Sequence, residues 1–191
     1  MANEIVQNIY SKYPRLEQLG DIEIIFSPEK YEEGKGQLEF YHKGEDLSPD
    51  PSKTIIEIFN PDLKGEWLEK AIVGDMLHGL PGKDLEFTDL RNEFKESLND
   101  QQQQQALKMW KNQEAREDHP PRSFEKAFDV SILDAFIRGY VMPDENNEWK
   151  DFYTDDQKQI LEEMKGLLEQ PKVQMKYKGG IADINYLTRR L

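Results

Sequence analysis

The spacing of apolar residues along this chain changes from strand-like to helical at Asn60-Pro61-Asp62. Before that point three short runs, Asp21–Phe26, Gln37–His42 and Lys53–Phe59, are rich in β-branched and aromatic residues and are separated by loops containing Gly or Pro. Such runs read as strands, and three of them predict one small sheet. After it, Leu63, Trp67 and Ala71 together with Leu68, Ile72 and Met76 form an apolar stripe at helical spacing, ending at Gly79-Leu80-Pro81-Gly82. This predicts a central helix with Trp67 in the core. Further helices are expected at about 84–97, 100–116, 123–140 and 155–169, with Trp110 also on an apolar stripe. Thr154-Asp-Asp-Gln157 has capping-box form, and Asn99 is placed to cap the helix that begins with the glutamine run Gln101–Gln105. That run reads as a solvated helix start.

Ahead of the strands, Ile5, Ile9, Tyr13 and Leu16 recur at helical spacing, and Pro14 interrupts them, so one short opening helix is expected. From Pro171 to Leu191 the helical pattern is lost, which predicts an extended or mobile arm. The expected fold class is α+β: an opening helix, a small three-stranded sheet, a helical body within a single domain 1–170, and a tail 171–191.

Composition narrows the chemistry. The 191 residues include no cysteine, so disulfides, thiolate metal sites and cysteine nucleophiles are excluded together, and His42, His78 and His119 are the only imidazoles. The net charge is −13, which disfavours nonspecific binding to nucleic acid or to anionic lipid. The charge is also divided. Lys172, Lys176, Lys178, Arg189 and Arg190 face only Asp183 in the tail, a formal +4, which leaves −17 on the rest. No run of apolar residues reaches the length of a membrane span, and Met1-Ala-Asn-Glu-Ile lacks the pattern of a secretion signal. The expected setting is a cytoplasm.

The residues that carry candidate chemistry lie on the central helix, in Gly74-Asp75-Met76-Leu77-His78. This segment and its context, Thr54–Asp84, resemble a minimal zincin, in which a helix following an edge strand carries His-Glu-x-x-His. Residues four apart on a helix share a face, so two histidines can hold one zinc while the glutamate activates water. By this resemblance His78 matches the second ligand and Asp75 the general base, one methylene shorter. Asp84, six residues on, falls where some zincins place a third ligand, whereas Gly74 replaces the first ligand and supplies none. The chain is also similar to small phage-encoded proteins that pair a Gly-Glu/Asp-x-Leu-His core with a later Asp-x-x-x-Arg-Gly segment, here Asp134-Ala-Phe-Ile-Arg138-Gly139. Without the resemblance, Asp75 and His78 read as a pair that hydrogen-bond each other or cap neighbouring groups, and Asp134 and Arg138 as an intrahelical pair or a link to them. His42, before Lys43-Gly44, and His119, before Pro120-Pro121, read as exposed.

The resemblance implies a noncatalytic, phage-encoded structural or interaction protein on a degenerate zinc-peptidase-like fold, a virion or delivered accessory component found in the virion or the host cytoplasm. It implies no resident cofactor. The expected partners are proteins, other phage proteins or its own copies reached through the basic tail, without membrane or direct nucleic-acid binding. Two alternatives stay open. One is a divergent zinc-dependent hydrolase using Asp75, His78 and Asp84, with a further carboxylate or His42 brought close by folding; the other is an acidic inhibitor of a host DNA-binding protein.

Overall fold

The computed structural model describes residues 2–32, 38–42, 53–114, 123–143, 151–171, 174–177 and 180–183. His119 and Trp149 lie outside them.

Helix α1 (Ala2–Lys12) ends ahead of Pro14, which instead starts a 3-10 helix over Pro14–Leu19. Proline suits the first turn, where its missing N–H costs nothing. The 3-10 helix closes on Gly20 at φ 82°, a left-handed position open to glycine, and β1 (Asp21–Phe26) follows at once. Strand β3 (Lys53–Ile58) pairs in parallel with β1, Ile24 opposite Ile56, and β2 (Leu38–His42) runs antiparallel along its other edge, His42 opposite Thr54. As the middle strand, β3 is buried from Thr54 to Ile58. It carries one charge inward, Glu57, which accepts hydrogen bonds from Ser27 Oγ at 2.5 Å and Lys30 Nζ at 2.6 Å.

Helices make up the rest. They are α2 (Gly65–Gly79), α3 (Leu85–Glu96), α4 (Asp100–Glu114), α5 (Phe124–Ala127), a π turn (Phe128–Ile132), α6 (Leu133–Val141) and α7 (Asp155–Leu168). The α+β class is borne out, with helix dominant. Helix α2 packs against α1, β2 and α6, and α3 lies against α7. Its buried side is Leu68, Ile72, Val73, Met76 and Leu77. Trp67 is not in that core, contrary to expectation: it is 63% exposed, with the Lys70 ammonium 5.4 Å from its ring. The stripe 68/72/73/76/77 already fills the arc facing the neighbouring elements, so the turn carrying Trp67 points outward. Trp110 is half-buried, edge-on to Phe124 at 5.8 Å.

Two helix starts are stapled together. Thr154 and Gln157 form the expected capping box on α7, and Asn99 and Gln102 exchange the same two bonds at the start of α4. The two glutamine amides then bond each other, at 2.7 and 2.8 Å, and reach the carbonyls of Phe152 and Ser97. Gln102 is thus buried, an exception within an otherwise largely solvated run. In the tail, β4 (Gln174–Tyr177) and β5 (Gly180–Asp183) pair antiparallel, Tyr177 opposite Gly180. No helix among the described residues is long and apolar enough to cross a membrane.

Candidate functional site

Three helices bring the polar group together. Gly74, Asp75 and His78 lie on α2, Asp134 and Arg138 on α6, and Arg91 on α3. The approach to α6 runs through the π turn, where the wider helical winding leaves carbonyls without their usual partners. Arg91 uses this: Nη2 donates to the Asp129 carbonyl, while Nε donates to Asp134 Oδ1 at 2.8 Å. The other oxygen of Asp134 lies 2.5 Å from His78 Nδ1. Asp134 is 1% exposed, so a buried carboxylate holds an arginine with one oxygen and an imidazole with the other.

This fixes the orientation of His78. A carboxylate only accepts, so Nδ1 carries the hydrogen, and in the neutral ring Nε2 is left as an acceptor. Nε2 stands 3.8 Å from Asp75 Oδ1, with the His78 and Asp75 side chains 24% and 22% exposed. The two residues are therefore neighbours without a hydrogen bond between them.

Arg138 does not pair with Asp134, whose oxygens are engaged by Arg91 and His78. Its side chain turns instead across α2 at Gly74: a methyl group added to Gly74 would come 2.8 Å from Nη1 and 2.9 Å from Cδ of Arg138. Gly74 is buried in the interior of a helix, where glycine costs about 1 kcal/mol relative to alanine. The close approach of Arg138 supplies the reason for it. Among the described residues the Arg138 guanidinium makes no hydrogen bond and no ion pair.

Asp84 belongs to a different structure. It caps α3, Oδ1 accepting from Phe87 N at 3.2 Å, and it is bound by Arg15 through Nε and Nη2 and by Gln18 at 2.6 Å. Arg15, itself 0% exposed, also reaches Glu86 at 3.0 Å. Burial alone would push Asp84 upward. The hydrogen bonds from Arg15 and Gln18, the Arg15 charge and the Phe87 N–H outweigh it and hold the carboxyl below its ordinary range. Both Asp84 oxygens are thus committed, which takes it out of any ligand set with His78. No group of three or more His, Asp or Glu side chains among the described residues is placed to hold a metal ion.

No family model, curated protein or solved structure matches this chain.

The site therefore stands on its geometry: a guanidinium lying on a side-chain-free helix surface, and one turn further along the same face an imidazole aimed by a buried acid. Arg91, which anchors that acid, was not foreseen from the sequence. A signal for it exists, because Arg91 interrupts the apolar stripe Phe87, Leu90, Phe94 on α3. Arg15, between Pro14 and Leu16, carries no comparable signal. His42 falls on β2.

Proposed function

We propose that this chain is a noncatalytic interaction module built on a degenerate zinc-peptidase-like scaffold, and that it serves as a phage-encoded virion or delivered accessory component. The observation that carries the noncatalytic reading is Arg138 against Gly74. A ligand side chain at position 74 would need the space that the guanidinium fills. The same group sets a permanent positive charge about one helical turn from His78, where it opposes a divalent cation. The interaction reading is supported by the exposed aromatics Phe26 and Trp67, at 48% and 63%. Phe26 borders an apolar cleft of about 470 Å³ with Ile5, Pro61, Leu63 and Leu68. The phage origin and the virion or host-cytoplasmic setting rest on the Gly-Asp-x-Leu-His and Asp-x-x-x-Arg-Gly resemblance.

One observation favours the hydrolase alternative. A histidine that ligates a metal usually gives its second ring N–H to a carboxylate, as His78 gives Nδ1–H to Asp134. Metal content decides between them. Purified protein dialysed against micromolar zinc is expected to hold well under one equivalent, unchanged by His78→Ala. One equivalent of zinc that disappears in His78→Ala would establish the metal site and remove the noncatalytic reading.

A further inference from the structure

We propose that Arg138 and His78 form a recognition site for a carboxylate with an N–H beside it, the chemistry of a polypeptide's C-terminal residue. The inference deepens the interaction reading above and rests on it, since a metal at His78 would occupy the same imidazole nitrogen.

Arg138 is a half-buried guanidinium with no hydrogen bond or ion pair among the described residues. Its Cδ and Nη1 lie against the bare backbone of Gly74, 2.9 and 2.8 Å from where a Cβ there would sit. A guanidinium held in this way presents a planar fork that matches a carboxylate in two parallel hydrogen bonds. Gly74 and His78 are four residues apart, so the imidazole lies on the same face about 6 Å along the helix. His78 Nδ1 is committed to Asp134, and Asp134 is locked in turn by Arg91. The ring cannot turn away without breaking a buried bond, and its Nε2 is left as an acceptor. A donor fork and an aimed acceptor, one helical turn apart, suit a ligand that carries an anion and an N–H on neighbouring atoms.

Asp75 restricts the choice. Its carboxylate lies 3.8 Å from Nε2, so a ligand that brought a second negative charge to this end, as a phosphate dianion does, would meet repulsion. A single carboxylate turned toward Arg138, with its neutral N–H turned toward His78 and Asp75, meets none.

The test uses the full-length protein and N-acetylglycine, which carries the carboxylate and N–H of a chain end, and follows the His78 ring signals by NMR. With only three histidines in the chain, those signals are assigned by their loss in His78→Gln. N-acetylglycine is expected to shift them saturably, whereas N-acetylglycinamide, which lacks the charge, does not. Arg138→Gln is expected to weaken binding by about tenfold or more, and Arg138→Lys less. Because Arg138 has no partner to orphan among the described residues, these variants leave no unpaired buried charge behind there. No saturable shift, an equal response to the amide, or equal binding of inorganic phosphate would each overturn the inference. Failure here with zinc still unbound defeats only this site, and stoichiometric zinc defeats the function on which it rests.

Discussion

Replacing Arg15 with methionine is expected to lower stability by about 3–5 kcal/mol, because it leaves the buried Asp84 carboxylate without the guanidinium that binds it and removes the Arg15 bond to Glu86. Arg15 and Asp84 are both 0% exposed, so water cannot take over the lost bonds. For a domain with about 5–15 kcal/mol in total, that is a large share. The urea midpoint should fall accordingly. The exposed pair Lys12–Glu69 gives the contrast: with the lysine side chain 50% exposed, Lys12→Ala should cost no more than about 1 kcal/mol. Equal shifts for the two variants would mean that the Arg15 network contributes no more than a surface pair. The network also predicts an acid limb. Asp84 is held below its unfolded value, so its contribution is fully present above about pH 4 and is lost as pH falls through the lowered folded value. Asp84→Asn should flatten stability over that acidic window, although the protein is less stable at neutral pH.

The second large effect is expected at Asp134. Asp134→Ala removes the acceptor of Arg91 Nε and of His78 Nδ1 together, leaving Arg91, 6% exposed, as a buried charge bonded among the described residues only to the Asp129 carbonyl. The expected loss is again about 3–5 kcal/mol. Asp134→Asn should be milder, since its amide oxygen still accepts one bond. Both substitutions should also free the His78 ring, seen as broadened or shifted ring signals at temperatures where the protein remains folded. A loss near that of an average surface change, about 0.5 kcal/mol, would show that Arg91 and His78 do not depend on this carboxylate.

The elements were legible where backbone chemistry acts locally. Pro14 ended α1, the β-branched runs became β1 and β3, and Thr154 and Asn99 began their helices. The polar interior was much less so. A charge is bound into a core by partners far away in sequence, as Arg15 is by Asp84 and Glu57 by Ser27, and no spacing rule announces them. Trp67 shows the converse. Helical period places it on an apolar stripe, but which arc of α2 is covered depends on α6 and α1, so a residue at the stripe's edge went to solvent.

Of the candidate site, the sequence named Gly74, Asp75, His78, Asp134 and Arg138, and the fold puts them on two facing helices. The pairing within the group was legible only in part. The spacing of Asp134 and Arg138 allowed either a bond between them or a link to Asp75 and His78; Asp134, held by Arg91 beside the π turn, makes the link to His78, while Arg138 lies on Gly74. Gly74 is thereby explained by what lies against it as well as by the ligand it fails to supply. Asp84 fell out for an equally local reason, its role as the N-cap of α3.

The central claim is that Arg138 occupies the place a side chain at position 74 would take, and a double-mutant cycle between the two residues measures it most directly. In an Arg138→Ala background, Gly74→Ala should stabilise the protein by about 0.5–1 kcal/mol through helix propensity alone. With Arg138 present, the new methyl group must displace the guanidinium, so the gain should vanish or reverse, giving a coupling of about 1 kcal/mol or more. The same effect of Gly74→Ala in both backgrounds, within about 0.3 kcal/mol, would contradict it.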